Sequence, residues 1–221
     1  QTAAYEVGEC DWSSDGCSSD LTGLTITGND ISLGNIGGAA AGVSGATSVT
    51  AADGAGPDAG SITLTGTTYN QNQLTLNAGA ATNAVQVAGG AAAALTTITT
   101  SGDTVTVTGA VDLNARGLTV DSTAAGGSAA GANISFNQTI DGAGALTLTG
   151  GTLGDVTITG ATGNGTALTG LTITGNDISL GNIGGAAAGV SGATSVTAAD
   201  GAGPDAGSLT LTGTTYHQNQ L

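Results

Sequence analysis

The chain has 221 residues, of which 41 are Gly, 2% are aromatic and none is Met or Lys. This composition cannot fill a core of bulky side chains, which argues against helical bundles and thick two-layer cores. A formal charge of −15 repels nucleic-acid phosphates and anionic lipid surfaces, so neither is expected as a partner. No apolar run reaches the roughly 18 residues of a membrane-spanning helix.

Short segments of alternating apolar and polar residues recur along the chain and predict β-strands. In chain order they are LTIT from Leu24, SITLTG from Ser61, AVQV from Ala84, TVTVTG from Thr104, NISFN from Asn133, ALTLTG from Ala145 and DVTITG from Asp155. Successive side chains of a strand point to opposite sides, so Leu146 and Leu148 oppose Thr147 and Thr149. We therefore expect strands with one dry face and one wet face.

Two all-β architectures are compatible with such strands. A β-sandwich needs large residues to fill a core about 10 Å thick, and this chain has few. A β-helix needs only a narrow column of Val, Ile, Leu and Ala, with sharp corners where Gly and Asn adopt positive φ. The sequence therefore predicts a parallel β-helix, or β-solenoid, with β-sandwich repeats as the alternative.

A long internal repeat divides the chain. Residues 21–74 recur as residues 168–221, and only two of these 54 positions differ, Ile62 against Leu209 and Asn70 against His217. We interpret residues 21–167 as one solenoid unit of about six or seven coils and residues 168–221 as the start of a second, truncated copy. The chain is thus expected to be a fragment whose coils stack on further repeats and whose cut ends expose unpaired strand edges.

Residues 1–20 differ in style from the remainder, because residues 10–20 hold both Cys and the single Trp. The text from Asp11 to Asp20, DWSSDGCSSD, resembles a translated sequencing adapter that reads DWSSDVCSSD and is followed by a Leu codon. Identity between the two repeat copies begins at Leu21, where this text ends. Residues 1–20 are therefore predicted to be a non-native segment, with a small disulfide loop between Cys10 and Cys17 as the alternative.

The run from Asn133 to Thr174, NISFNQTIDGAGALTLTGGTLGDVTITGATGNGTALTGLTIT, resembles the repeats of filamentous-haemagglutinin-like and other giant β-strand-repeat surface adhesins of bacteria. Its GAGALTLTG portion is also similar to autotransporter-associated repeats. The likeness is compositional and extends over residues 21–221. It implies a right-handed parallel β-helix that projects from the cell surface, in a secreted or outer-membrane-anchored protein.

Candidate catalytic residues are few. His217 stands where the other copy has Asn70, and a group needed for proton transfer would not be exchanged for an amide. Arg116 lies between Asp112 and Asp121, which invites comparison with β-helical polysaccharide lyases that use an Arg base beside carboxylate-bound Ca²⁺. A surface ion pair is the simpler interpretation. No catalytic or cofactor-binding residue is predicted.

A weak calcium motif occurs once in each copy, as DGAGPDAGS at residues 53–61 and 200–208. It partly matches the nonapeptide G-G-x-G-x-D-x-U-x, with Asp53, Asp58, Asp200 and Asp205 as candidate ligands. A polar turn with Pro at its corner explains the same residues. No metal site is predicted, and calcium stays an alternative.

Paired Thr residues could form a recognition face. They are Thr25 and Thr27, Thr63 and Thr65, Thr104 and Thr106, Thr147 and Thr149, and Thr157 and Thr159. Stacked outward, such pairs resemble the ice-binding face of β-helical antifreeze proteins, although Thr is also favoured in strands because it is β-branched. Their unequal intervals along the chain argue against a regular array.

The expected function is a non-catalytic stalk or adhesive segment of a bacterial surface protein, located outside the cell. Host or neighbouring-cell glycans or proteins are the expected partners. A Thr-rich face for ice or carbohydrate and a polysaccharide lyase are the alternatives.

Overall fold

The computed structural model describes residues 21–38, 42–51, 60–78, 84–91, 94–185, 189–199 and 206–220. The predicted non-native segment, residues 1–20, lies outside these ranges. Within them the regular secondary structure consists of twenty β-strands and no helix, and all strand pairs are parallel. The predicted parallel β-solenoid is confirmed, and the β-sandwich alternative is wrong because its sheets would be antiparallel.

Three parallel sheets run along the solenoid axis. Sheet I comprises β1 (Leu24–Gly28), β3 (Ala46–Ala51), β6 (Gln73–Asn77), β9 (Val105–Val107), β12 (Ile134–Phe136), β15 (Val156–Ile158), β17 (Ile178–Leu180) and β19 (Leu209–Leu211). Sheet II comprises β2 (Asp30–Leu33), β4 (Ser61–Leu64), β7 (Val85–Val87), β10 (Val111–Asp112) and β13 (Ile140–Asp141). Sheet III comprises β5 (Thr68–Gln71), β8 (Leu95–Thr100), β11 (Gly117–Asp121), β14 (Ala145–Thr149), β16 (Gly170–Gly175), β18 (Val190–Ala198) and β20 (Gln218–Gln220).

The chain visits the three sheets in the same order on every turn. Sheet II continues beyond its last strand as a series of single bridges. Ile140 pairs with Thr162, Thr162 with Ile183, and Ile183 with Tyr216. The turns differ in length, because the paired residues Ile134 and Val156 of sheet I lie closer in sequence than the paired residues Ile178 and Leu209. Some turns are therefore longer than the predicted six or seven coils in residues 21–167 would require, roughly 20 to 25 residues each, since several corners carry extra loop residues.

The core is a stack of inward-facing aliphatic side chains, one layer per turn. In sheet III, Leu118 pairs with Leu146 and Leu146 with Leu171, and all three are buried. The intervening Thr119 and Thr147 face outward and are partly exposed, as the alternating pattern predicts. Burying each Leu or Ile side chain contributes about 1.5–3 kcal/mol, so stability comes from stacking turn on turn.

Polar side chains satisfy the backbone at the corners, where strand pairing is interrupted. The side-chain oxygen of Asn35 accepts hydrogen bonds from the N–H groups of Thr67 and Thr68 on the next turn, at 2.8 and 3.1 Å. Asn182 makes the equivalent bonds in the second copy. Gly131 adopts a φ of 63°, and a Cβ at this position would overlap the carbonyl oxygen of Gly150. These contacts explain why the corners are rich in Asn and Gly.

Tyr69 closes the corner between sheets II and III. Its hydroxyl donates to the carbonyl oxygen of Leu33 at 2.8 Å and accepts from the N–H of Gly66 at 2.9 Å. Burial disfavours the phenolate and raises the pKa of Tyr69 to about 12. The ring thus fills the interior while its polar end serves the backbone.

Leu64 and Leu211 provide a matched test of the stacked core, because they occupy the same position in the two copies. Leu64 lies between Leu33 and Val87 in sheet II and is 1% exposed, whereas Leu211 pairs with Leu180 at the end of sheet I and is 52% exposed. We expect Leu64→Ala to lower the free energy of unfolding in urea by about 2–5 kcal/mol. Leu211→Ala should lower it by less than about 1 kcal/mol. Equal losses would contradict the stacking.

The raised pKa of Tyr69 predicts a loss of stability at alkaline pH. Above about pH 10 the tyrosine of the unfolded chain loses its proton, while the buried hydroxyl keeps it until about pH 12. The unfolded state then binds fewer protons, so the free energy of unfolding falls across this window by about 2–3 kcal/mol. Subtracting the profile of Tyr69→Phe cancels the other ionisable groups, so the difference should show this slope. A difference independent of pH would refute the assignment.

Candidate functional surface

A continuous column of hydroxyl side chains runs along the outer face of sheet I. It contains one outward-facing residue from each strand, and strand pairing places these residues in register. The members are Thr25, Ser48, Thr75, Thr106, Ser135, Thr157, Ser179 and Thr210. Neighbouring members are separated by the strand spacing of about 4.8 Å. We call this column the single ladder.

Two parallel columns of the same kind cover sheet III, and we call them the double ladder. The first column is Thr68, Thr97, Thr119, Thr147, Thr172 and Ser195. The second is Asn70, Thr99, Asp121, Thr149, Thr174 and Thr197. The columns lie two residues apart along each strand, roughly 6.6 Å. The face is therefore a regular lattice of hydroxyl groups with one amide and one carboxylate.

The predicted Thr pairs are divided among the three sheets. Thr25, Thr106 and Thr157 meet in the single ladder, whereas Thr147 belongs to the double ladder and Thr63 to sheet II. The paired Thr residues thus do not form one array, yet unequal sequence intervals do not prevent columns in register, because the corners absorb the differences in length. Sequence patterns also missed several ladder members, since Ser and Asn at these positions do not form T-x-T pairs.

The outer face of sheet II is acidic where β10 and β13 pair. Asp112 lies beside Asp141 in register. The Asp112 carboxylate accepts a hydrogen bond from the N–H of Asn114 at 2.9 Å, and that of Asp141 accepts from the N–H of Gly165 at 2.8 Å. These carboxylates thus cap corner backbone, as Asp commonly does in turns.

A second series of acidic and amide side chains links successive turns beside sheet I. The side-chain oxygen of Asn133 accepts from the N–H of Asp155 at 2.9 Å, and that of Asp155 accepts from the N–H of Asp177 at 3.2 Å. Asp177 in turn accepts from the N–H of Ser208 at 2.9 Å. Each side chain therefore bonds the turn that follows it.

The described part of the structure also bears on whether side chains could bind a metal ion together. Among the described residues no group of three or more His, Cys, Asp or Glu side chains is placed to hold a metal ion. The candidate calcium ligands Asp53, Asp58, Asp200 and Asp205 lie outside the described ranges, so the calcium alternative stays a prediction.

Arg116 binds backbone in the corner before β11. Its guanidinium donates to the carbonyl oxygens of Gly89, Gly90 and Asn114, each at 3.1 Å. The carboxylate of Asp121, one of the two Asp residues that flank Arg116 in the sequence, accepts a hydrogen bond from the N–H of Thr123 at 2.7 Å. Arg116 therefore ties two neighbouring turns together through carbonyl groups.

His217 is exposed on the turn that ends in β20. Its backbone N–H donates to the carbonyl oxygen of Ile183 at 2.8 Å, and Asn70 makes the equivalent backbone bond to Ile36 at 2.7 Å. The backbone role is thus common to both copies, whichever side chain stands there.

Comparisons with known proteins give no family assignment. No protein-family model, curated protein or solved structure matches the chain. The described part of the chain contains no helix of the length and hydropathy that a membrane span requires.

The bonds of Arg116 predict that the shape of its side chain matters more than its charge. Arg116→Ala leaves three carbonyl groups without their donor and should lower the free energy of unfolding by about 1–3 kcal/mol. Arg116→Lys keeps the charge but lacks the planar fork, so it should recover less than half of this loss. Full recovery by Lys, together with a strong dependence on salt, would instead indicate an ion pair.

Proposed function

We propose that this chain is a non-catalytic structural segment, a stalk with an adhesive surface, of a secreted or surface-anchored bacterial repeat protein. The observation that supports this most directly is the unbroken parallel pairing along sheet I from Leu24 to Leu211. Eight strands spaced by about 4.8 Å extend over about 34 Å. Repeating such turns adds length without a new fold.

The polarity of the surface suits a long, hydrated fibre. Most outward-facing strand positions carry Thr, Ser, Asn or Asp, which keep a long fibre hydrated, while most of the aliphatic side chains in the described strands are buried. The net charge is −15, and it is still −10 without the five acidic residues of the predicted non-native segment, so it opposes association of one fibre with another. Hydroxyl and carboxylate groups also suit weak, distributed hydrogen bonding to glycans or proteins of a host or neighbouring cell.

A second candidate is a recognition face for ice or for an ordered carbohydrate. The double ladder favours it, because Thr119, Thr147 and Thr172 stand in register at the spacing of the strands. Ordered hydroxyl groups at regular intervals could match a hydrated lattice. A thermal-hysteresis measurement separates the two candidates, since a stalk gives none.

A polysaccharide lyase has less support. The guanidinium of Arg116 already donates to three carbonyl groups, which leaves it poorly placed to accept a proton from a substrate. Arg116-dependent cleavage of a polyuronate in the presence of Ca²⁺ would replace the stalk proposal.

In a rigid stalk, the distance between two labelled positions grows in proportion to the number of turns between them and varies little from molecule to molecule. In a Cys10→Ser and Cys17→Ser background, we would attach spin labels to Thr25→Cys and Thr157→Cys, five steps apart in the single ladder. Pulsed dipolar spectroscopy should give a narrow distribution near about 24 Å, and labels at Thr25→Cys and Thr210→Cys one near about 34 Å.

Two outcomes bear on the stalk directly. Broad distributions for both pairs would show that the chain is flexible and would end the proposal. Narrow distributions that shift when a neutral glycan is added would mark a hinged receptor, since a rigid stalk keeps both distances.

A further inference from the structure

Over the residues described in both, the two repeat copies fold alike. The strand pairs Leu24–Thr47, Ile31–Ile62 and Ile36–Tyr69 of the first copy recur in the second as Leu171–Thr194, Ile178–Leu209 and Ile183–Tyr216. The bonds that Asn35 makes to the next turn recur at Asn182. The internal geometry of the repeated segment is therefore set by its own residues.

The same segments nevertheless lie on different faces of the solenoid. The first strand of the copy is β1 of sheet I, but its equivalent is β16 of sheet III. Likewise β2 of sheet II becomes β17 of sheet I, and β3 of sheet I becomes β18 of sheet III. The second copy is thus rotated about the axis relative to the first.

The rotation follows from counting turns. Starting at Leu24, five steps along sheet I lead to Val156. The chain then passes through sheet II at Thr162 and reaches sheet III at Leu171, the residue equivalent to Leu24. One repeat unit therefore advances the solenoid by five and two-thirds turns, a rise of about 27 Å.

The same segment fits all three faces because each face needs aliphatic side chains that point inward and polar ones that point outward. The corner hydrogen bonds of Asn35 and Asn182 are made within the copy itself, so they do not depend on the face. Thr25 and Asp30 are exposed in sheets I and II, and their equivalents Thr172 and Asp177 are exposed beside sheets III and I. We call Thr25 and Asp30, or Thr172 and Asp177, the repeat patch.

We propose that this fractional advance moves the repeat patch, which spans sheets I and II in the first copy and sheets III and I in the second, to a different pair of faces in each unit, so that an array of such units presents it around the whole fibre. Three units would complete one full cycle of faces. A partner on one copy then points away from the partner on the next, which suits many small molecules bound separately. Given the charge of the chain, short neutral glycans fit best. This choice of partner rests on the proposed adhesive function, whereas the rotation does not.

The rotation is tested with labelled pairs in the full chain, again with Cys10→Ser and Cys17→Ser. Labels at Thr147→Cys and Thr172→Cys lie on adjacent strands of sheet III, about 5 Å apart, and should broaden the continuous-wave spectrum strongly. Labels at Thr157→Cys and Thr172→Cys lie on different sheets and should not. The pair Thr75→Cys and Thr106→Cys, adjacent in sheet I, is the positive control.

Each result either supports or overturns the rotation of the second copy. Were the copies in phase, Thr172 would follow Thr157 in sheet I, and broadening would move to that pair and overturn the proposal. Loss of broadening in the control pair as well would remove the solenoid itself. The glycan is tested apart, by retention of short neutral oligosaccharides on the immobilised chain. No retention with the expected spectra overturns the partner but leaves the rotation standing.

Discussion

The structure depends on one interaction, the parallel pairing of each turn with the next at a register that keeps aliphatic side chains stacked inward. A single turn supplies only one layer of inward residues, so the turns on either side are needed to cover it. Only the strands must keep register, so the corners are free to vary in length and composition. This explains how the short turn from Ile134 to Val156 and the longer turn from Ile178 to Leu209 coexist in one sheet.

Much of this fold could be predicted from alternation alone. All seven predicted segments are strands, and Val156, Ile158, Leu146 and Leu148 point inward as expected. Alternation does not predict which side of a strand is buried when apolar residues lie on both sides, as in β8, LTTITT. There Ile98 is buried between Tyr69 and Val120 of the neighbouring turns, and Leu95 is left 55% exposed. The choice is made by the adjacent turns, which the local pattern does not contain.

The same dependence on neighbours explains the polar residues inside the solenoid. Thr47 and Gln71 are buried, and the hydroxyl of Thr47 and the amide of Gln71 make no hydrogen bond with the described part of the chain. Unpaired polar groups cost about 1–3 kcal/mol each, so a sequence pattern would place them outward. Val49 and Tyr69 lie on the same inward side of these strands and are buried, which offsets part of that cost. The single and double ladders could not be predicted from the sequence for a related reason. The number of residues between their members depends on the lengths of the corners, which the strand pattern does not give.

A solenoid of this kind places a weaker condition on tandem duplication than a closed fold does. The unit need not contain a whole number of turns, because any face accepts any strand with the right alternation. It needs only a whole number of strand positions, and the unit from Leu24 to the residue before Leu171 contains seventeen, counting the single bridges. Seventeen is not a multiple of three, so duplication rotates the copy while every inward column continues. The rotation is therefore a consequence of stacking that stays local, and it converts a linear repeat into a surface that faces all sides.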